Sequence, residues 1–490
     1  MASRNPSLAD LIARLPAGST VAGASPARDV GAITSDSRAV KPGTVFVALR
    51  GEHTDGHGYV TAAAAAGAAG VVVDRAPRDP LPAHVTVVTV EDTQRALSLL
   101  AAAFYRDPSQ DVDVVGITGT NGKTTTLHML RAILDAAGIV NGTIGTVGAA
   151  FGGQNRRLAH TTPLPPELQA LLAEMRDGGA RVATMEVSSH ALALDRVADV
   201  QFRVGVLTNV SRDHLDFHES LEAYASAKRR LFALARHAVI NVGDVWGARW
   251  AAELAASGTA LTTYSAQPGA DLTATHVEAL RDATAFSLNG TRIRVPLPGR
   301  FNIANALAAI GSARVLGIGD ATSARGLAQL ARVPGRMQRL SEHGIDAIVD
   351  YAHTPDALYN ALSALREFAR GSLSVVFGCG GDRDRGKRRE MGATAAALAD
   401  RVYVTSDNPR SEDPQAIADQ IVAGIGDRAH VVELDRRCAI ERAIREARPG
   451  DVVLVAGKGH ETYQIVGDDV REFDDAGVVQ RALRLREALR

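Results

Sequence analysis

Cysteine is almost absent from this chain. Cys379 and Cys438 are the only two in 490 residues, far apart and outside any CxxC pair. That argues against a disulfide framework and a structural zinc site, and it fits a reducing cytoplasm. An excess of charge is missing too: 54 Lys and Arg face 55 Asp and Glu, for a formal net charge of −1. The chain therefore carries no electrostatic footprint for nucleic acid or an anionic membrane, and any anionic ligand must be held by local Arg and Lys clusters. No apolar run reaches the roughly 18 residues that a membrane span needs, and the N-terminus lacks the basic-then-apolar pattern of a signal segment. Neither an internal repeat nor a low-complexity linker is visible. The expectation is a chain with no nucleic-acid and no membrane partner.

What is present points to several packed domains. Hydrophobic residues make up 46% of the chain, enough for several cores, and the length suggests about three domains. Residues 1–108 hold short strands at Thr44–Leu49, Gly70–Asp74 and Val85–Val90, with a helix over the Ala-rich run Thr61–Gly70. Residues 109–332 alternate strands and helices, as a mostly parallel α/β sheet does. Residues 333–490 follow a junction at Val333–Met337 and alternate again, with buried strands expected at Ala347–Tyr351, Leu373–Phe377, Val402–Thr405 and Val452–Ala456.

The stretch Val114–Thr126 carries the most chemistry. It reads as a buried strand, a Gly-rich turn and a helix whose apolar positions Leu127, Leu130, Leu134 and Ala137 recur at helical spacing. Gly119 and Gly122 let the backbone turn tightly against a ligand. Backbone N–H groups at a helix start, with a Lys beside them, form a phosphate seat. Lys123 would reach the outer phosphates of a nucleoside triphosphate and the Thr124 hydroxyl would ligate Mg²⁺. The full P-loop pattern is not met, because Ile117 stands where its first Gly is expected.

Most later strands run straight into polar, glycine-rich or charged segments. Val182–Val187, with Glu186 inside it, leads to Ser188-Ser189-His190, and Val204–Leu207 leads to Asn209 and Arg212-Asp213-His214. Leu373–Phe377 leads to the basic glycine turn Gly378–Arg388, Val402–Thr405 to Asp407–Arg410, and Val452–Ala456 to Gly457–Glu461. In open α/β sheets ligands bind outside the carboxyl ends of strands, so these segments are candidate sites. Glu186 and His214, with Asp213 and Asp216 nearby in sequence, offer hard ligands for Mg²⁺. Each also has a plain reading as a helix cap or a solvated loop residue. The basic turn suits carboxylate or phosphate recognition, with a solvated charge run as the alternative. The fork of Arg410 matches a carboxylate bidentately.

Taken in order, these segments resemble the Mur ligase family over essentially the whole chain. The resemblance rests on Thr34–Arg38, the loop Gly119–Thr125, Thr161–Pro163, Glu186–His190, Asn209–Asp216, Gly299–Asn305, Asp350–Asp356, Gly378–Asp384, Asp407–Arg410 and Gly457–Glu461. It implies three domains: an N-terminal α/β nucleotide-precursor domain, a central P-loop ATPase domain with a mostly parallel sheet, and a C-terminal Rossmann-like α/β domain. Within the family the chain resembles the branch that uses ATP and Mg²⁺ to join meso-diaminopimelate to UDP-N-acetylmuramoyl-L-alanyl-D-glutamate in the cytoplasm, with small molecules as its only partners and a monomer expected.

Residue by residue, the resemblance implies that Gly119, Thr120, Asn121, Gly122, Lys123, Thr124 and Thr125, with Asn302, Arg336 and Asp350, bind ATP. Ser35, Ser37, Glu52, His53 and Thr54 would hold the uridine end of the precursor, and Thr161, Thr162, Ser188 and Arg196 its muramoyl-dipeptide end. Arg383, Asp407, Asn408, Pro409, Arg410, Gly457 and Glu461 would form the amino-acid pocket. Lys228 matches a lysine carried as a carbamate, an anionic metal ligand where a cationic amine would be repelled, and would join Thr124, Glu186 and His214 around the metal. Read alone, Lys228 is a surface helix lysine. Leu194 departs from the polar residue that some relatives carry. Sister ligases that add lysine or D-Ala-D-Ala, folylpolyglutamate synthetase, and a non-catalytic P-loop switch are the rival readings. Arg410 argues against the lysine-adding one, since lysine has no distal carboxylate.

Overall fold

The computed structural model describes residues 5–51 and 54–486. The fold is α/β with three domains and a mostly parallel central sheet. By packing, the chain divides into two compact units: Met1–Gly116, Ile139–Gly205 and Ala227–Arg236 form the first, and Ile117–Gly138, Val206–Ser226 and His237–Arg490 the second.

In the first unit a five-stranded sheet runs in the order Thr20–Gly23, Thr86–Thr89, Gly70–Val73, Thr44–Val47 and Ala32–Thr34. The last four are parallel and Thr20–Gly23 is antiparallel. Val45, Val47, Val72 and Val88 face one apolar cluster and Phe46, Val71 and Val73 another, which is the period-two alternation of strands covered on both faces. The Ala-rich helix is shorter than its composition suggests. It spans Val60–Ala65, because Gly67 turns the chain at φ +96° and Ala68 and Ala69 lead, buried, into the strand Gly70–Val73. The same unit holds Val182–Glu186, parallel to Asn141–Gly145, with the antiparallel strands Gly148–Phe151 and Gln154–Arg156 beyond it.

The second unit contains the helix Lys123–Ala136 and the parallel strands Ala260–Ser265 and Leu272–Thr273. It also contains a six-stranded sheet ordered Gln338–Glu342, Ile345–Asp350, Val452–Ala456, Leu373–Phe377, Arg401–Val404 and His430–Val432. Only the first of these is antiparallel. Val375, Phe377, Val402, Val404 and Leu454 pack into a core with helices Pro355–Arg366, Gly386–Leu398 and Pro414–Ile425. Val376, Tyr403, Val453 and Val455 pack on the other face against Arg436–Glu446 and Asp475–Leu485. This doubly wound layout sends every parallel strand's carboxyl end to one edge.

Candidate functional site

The phosphate loop is held by its own second-unit neighbours. Gly119 sits at φ +145° and Gly122 at φ +88°. A Cβ at Gly119 would lie 1.8 Å from the Thr208 hydroxyl, and one at Gly122 would lie 2.3 Å from Asn305 Oδ1, so both positions demand glycine for space as well as for φ. The Thr120 N–H donates to the Asn209 carbonyl and the Asn121 N–H to Asn209 Oδ1, each at 2.9 Å. Thr208 Oγ1 donates to the Asn121 carbonyl at 2.6 Å. Lys123 folds back over the loop, its ammonium donating to the carbonyls of Gly119 and Thr120 at 2.8 and 2.9 Å. Thr124 and Thr125 are buried at the start of the helix. Thr208, Asn209 and Asn305 brace the loop; Asn209 and Asn305 fall in segments that the sequence singles out, but nothing local there assigns them to the loop.

Residues from the C-terminal third reach the same loop. Arg336 Nη2 donates to Thr124 Oγ1 at 3.0 Å, and Asn121 Nδ2 donates to Asp356 Oδ2 at 2.9 Å. The Arg336 guanidinium stacks 4.5 Å from the Tyr351 ring centroid. Asp350 accepts the N–H groups of Met337 at 2.7 Å and Ala352 at 2.9 Å. Burial pushes its carboxyl above the ordinary carboxylate range, although the Arg336 charge and those two N–H groups oppose the rise. Asn302 is buried, with its amide donating to the Pro298 carbonyl and accepting from Asn305.

The segment after Asn209 is tied to the C-terminal third as well. Arg212 spans Asp384 at 3.0 Å and Glu390 at 2.9 Å. Asp213 is buried, 3.7 Å from His353 and 4.0 Å from Lys387. Burial alone would raise its carboxyl, but the adjacent His353 imidazole and the His214 and Lys387 charges hold it well below the usual range. His214 adopts φ +54° and lies 3.5 Å from Asp213. Asp216 is exposed. Among the described residues no three His, Cys, Asp or Glu side chains converge on one metal position.

At the carboxyl edge of the six-stranded sheet, the segments Gly378–Asp384, Asp407–Arg410 and Gly457–Glu461 meet. The basic turn is spent largely on structure. Arg388, fully buried, binds Glu412 at 2.9 Å and donates to the Gly380 carbonyl, and this pairing drives the Glu412 carboxyl down to about 2. Arg383 stays exposed, donating to its neighbour's Asp382 carbonyl. Arg410 sits at φ +52°, its N–H bonded to Ile465 O and its Nη1 donating to Gly381 O at 2.7 Å. It forms no ion pair among the described residues. Asn408 Nδ2 donates to Glu461 Oε2, and Lys458, fully buried, donates to both Asn408 Oδ1 and Glu461 Oε2, all at 3.0 Å. The backbone is closely packed here: a Cβ at Gly457 would lie 2.6 Å from Asp407 Oδ2, and one at Gly381 would lie 1.8 Å from the Pro409 carbonyl.

In the first unit, Glu186 is 1% exposed, accepting the Thr146 N–H and hydroxyl at 2.9 Å each. Thr161 Oγ1 is 3.2 Å from that same hydroxyl. Thr162 donates to the Glu186 carbonyl and accepts the Ser188 N–H, and Ser188 caps the short helix Ser189–Ala193. Arg196 donates to the Thr162 carbonyl at 3.2 Å, while its buried Nε has no partner among the described residues. Burial lowers the Arg196 guanidinium. Leu194 closes the short helix through its N–H on the His190 carbonyl at 2.8 Å and accepts the Gln94 amide on its own carbonyl at 2.7 Å. Lys228 is 1% exposed, which overturns its plain reading as a surface lysine: the helix Leu221–Arg229 turns that position inward. Ser35 and Ser37 follow the carboxyl end of Ala32–Thr34, and Thr54 follows that of Thr44–Val47. Glu52 and His53 lie outside the described residues. Thr146, next to Glu186, was not signalled by the sequence.

Comparison with known proteins gives three family models: the Mur ligase family catalytic domain over residues 29–105, the Mur ligase middle domain over 117–313, and the Mur ligase glutamate ligase domain over 335–459. A Gloeobacter violaceus protein named UDP-N-acetylmuramoyl-L-alanyl-D-glutamate–2,6-diaminopimelate ligase is 45% identical over 94% of this chain and 95% of its own. One of the same name from Geobacillus thermodenitrificans is 42% identical over 98% and 99%. A solved structure under that name superposes with a TM-score of 0.68 at 32% identity, covering 99% of both chains.

Proposed function

This chain belongs to the Mur ligase family, and from that premise we propose that it joins meso-diaminopimelate to UDP-N-acetylmuramoyl-L-alanyl-D-glutamate at the expense of ATP, in peptidoglycan precursor synthesis. The observation that carries the reading is the engagement of the phosphate loop by the C-terminal third, through Arg336 on Thr124 and Asp356 on Asn121. That contact links the nucleotide seat to the domain whose strand edge carries Asp407–Arg410.

In this reading a γ-carboxylate oxygen of the D-glutamate attacks the γ-phosphorus of ATP, and ADP leaves. The amine of diaminopimelate then attacks the acyl carbon of the resulting acyl phosphate. The tetrahedral intermediate collapses with loss of inorganic phosphate and of the amine proton, leaving an amide. Lys123, now bonded to loop carbonyls, turns to the phosphates and neutralises charge that develops on their oxygens. Arg336, bonded to the Thr124 hydroxyl at the loop, would add a second cation to the same oxygens. Asp350 and Asn302 border the nucleotide. Arg196, a half-buried cation whose Nε is buried and unsatisfied among the described residues, awaits an anionic group, which the dipeptide end of the precursor supplies beside Thr161, Thr162 and Ser188. Ser35, Ser37, Glu52, His53 and Thr54 hold the uridine end.

Mg²⁺ supplies charge neutralisation on the phosphate oxygens when bound. The donor chemistry at the loop fits it: Mg²⁺ takes hard oxygen ligands beside phosphates, and the Thr124 hydroxyl at the helix start is one. Thr124 and His214 in the second unit and Glu186 and Lys228, as its carbamate, in the first carry the donor types. Arg383, Asp407, Asn408, Pro409, Arg410, Gly457 and Glu461 receive the amino acid. Residues 1–108, 109–332 and 333–490 are the precursor, ATP and amino-acid domains. No described helix is long and apolar enough to cross a membrane; a cytoplasmic monomer completes the proposal. Phosphate release with ATP, the precursor and each amino acid in turn tests it. Release that depends on both the precursor and diaminopimelate is expected, and release without either one would refute the reading.

A further inference from the structure

Lys458 has no assigned role in the reaction, and its surroundings give it one. The ammonium is fully buried, a costly place for a charge unless it is paired and hydrogen-bonded. It is both. One N–H reaches Asn408 Oδ1 and another Glu461 Oε2, each at 3.0 Å, and the charge lies 5.4 Å from the centroid of the Tyr463 ring. Asn408 Oδ1 also receives the Ile465 N–H at 3.0 Å. With two donors on its oxygen the amide can point only one way. Its Nδ2 then faces Glu461 Oε2 with one hydrogen and keeps the second for a ligand. Glu461 Oε2 receives both Lys458 and Asn408, whereas Oε1 receives, among the described residues, only the Tyr351 hydroxyl at 3.4 Å. The carboxylate is thereby turned so that Oε1 is the oxygen with capacity for a substrate ammonium.

We propose that Lys458 is a positioning residue for the amino-acid substrate: it fixes the Asn408 amide and the Glu461 carboxylate in the one arrangement that receives an ammonium group of that substrate. This rests on the reading of Asp407–Arg410, Gly457 and Glu461 as the amino-acid pocket. Lys458 itself touches no substrate. Its effect passes through two side chains that do, and a preorganised pair loses binding when its support is removed.

The test is steady-state kinetics of Lys458→Met and Lys458→Gln, with each of the three substrates varied in turn. Thermal melting with and without Mg²⁺–ADP serves as the folding control. The expected result is a KM for diaminopimelate raised about tenfold or more, kcat at saturation within about threefold of wild type, and unchanged KM values for ATP and the precursor. Lys458→Arg, which retains the charge and the donors, should recover part of the loss. If Met at this buried position prevents folding, the Gln variant decides. Active wild type with an unchanged diaminopimelate KM in the variants overturns the positioning role alone, as does an equal rise in all three KM values. Wild type that releases no phosphate with any amino acid overturns the pocket reading and this role with it.

Discussion

Replacing Arg410 by Ala should abolish most of the preference for meso-diaminopimelate over lysine. The guanidinium is presented by a rigid backbone: the residue holds φ +52°, its N–H is bonded to Ile465 O, and its carbonyl accepts the Gly467 N–H at 2.8 Å. Nη1 is spent on the Gly381 carbonyl, which leaves the rest of the fork for a ligand carboxylate. Alanine meets the same φ as arginine does, so the backbone strain is common to both proteins and cancels. A charge-assisted hydrogen bond contributes about 1.5–3 kcal/mol, which at about 1.4 kcal/mol per tenfold is a factor of roughly 10–150. That factor should appear in the ratio of kcat/KM for diaminopimelate to kcat/KM for lysine, because lysine has no distal carboxylate to lose. Arg410→Lys should not restore the ratio, since a point charge lacks the planar fork. The assay is phosphate release with each amino acid, in wild type and both variants. A ratio that survives Arg410→Ala would refute the specificity argument.

Three further outcomes are expected. Lys123→Ala should fold and melt normally yet lose at least ~10²–10³-fold in turnover, the scale of one transition-state charge donor; near-normal phosphate release would remove Lys123 from the mechanism. Lys228→Ala should be nearly inactive and partly rescued by short carboxylic acids that replace the carbamate's anion, and full activity without rescue would count against the modification. Glu412, its carboxyl held at about 2 by Arg388 against an ordinary value of 4.5, contributes stability that is fully present above about pH 5 and lost as pH falls towards 2, up to about 3 kcal/mol in all. The stability difference between wild type and Glu412→Gln, followed by denaturant melts, should therefore shrink over that window; a constant difference would mean that the pair does not set it.

The sequence was most legible where function is local. The loop Gly119–Thr125 carries strand, turn and helix signals within one short segment, and the helix found there begins at Lys123. Buried strands that end in polar segments pointed to the carboxyl edge of the C-terminal sheet, where Asp350, Asp407–Arg410 and Gly457–Glu461 do lie. What stayed hidden depends on partners distant in sequence. Asn305 shapes the loop at Gly122, Arg336 reaches Thr124, and Lys458 locks Asn408. The burial of Lys228 follows from which face of its helix turns inward, and a short, mixed helix does not announce that. The basic turn Gly378–Arg388 looked like a free cationic patch because its composition does not reveal Glu412, which takes up Arg388. Charge in a sequence is counted residue by residue, and only the fold shows which charges are already paired.

In the proposed reaction the chain activates a carboxylate by phosphoryl transfer and then forms an amide. The most direct measurement supplies the UDP-linked dipeptide with ¹⁸O in the D-glutamate γ-carboxylate, together with ATP and diaminopimelate, and analyses the released phosphate by mass spectrometry. An acyl phosphate requires one labelled oxygen to depart with each phosphate, alongside a UDP-linked tripeptide. Phosphate that carries no label while the tripeptide accumulates would rule out an acyl phosphate on the path.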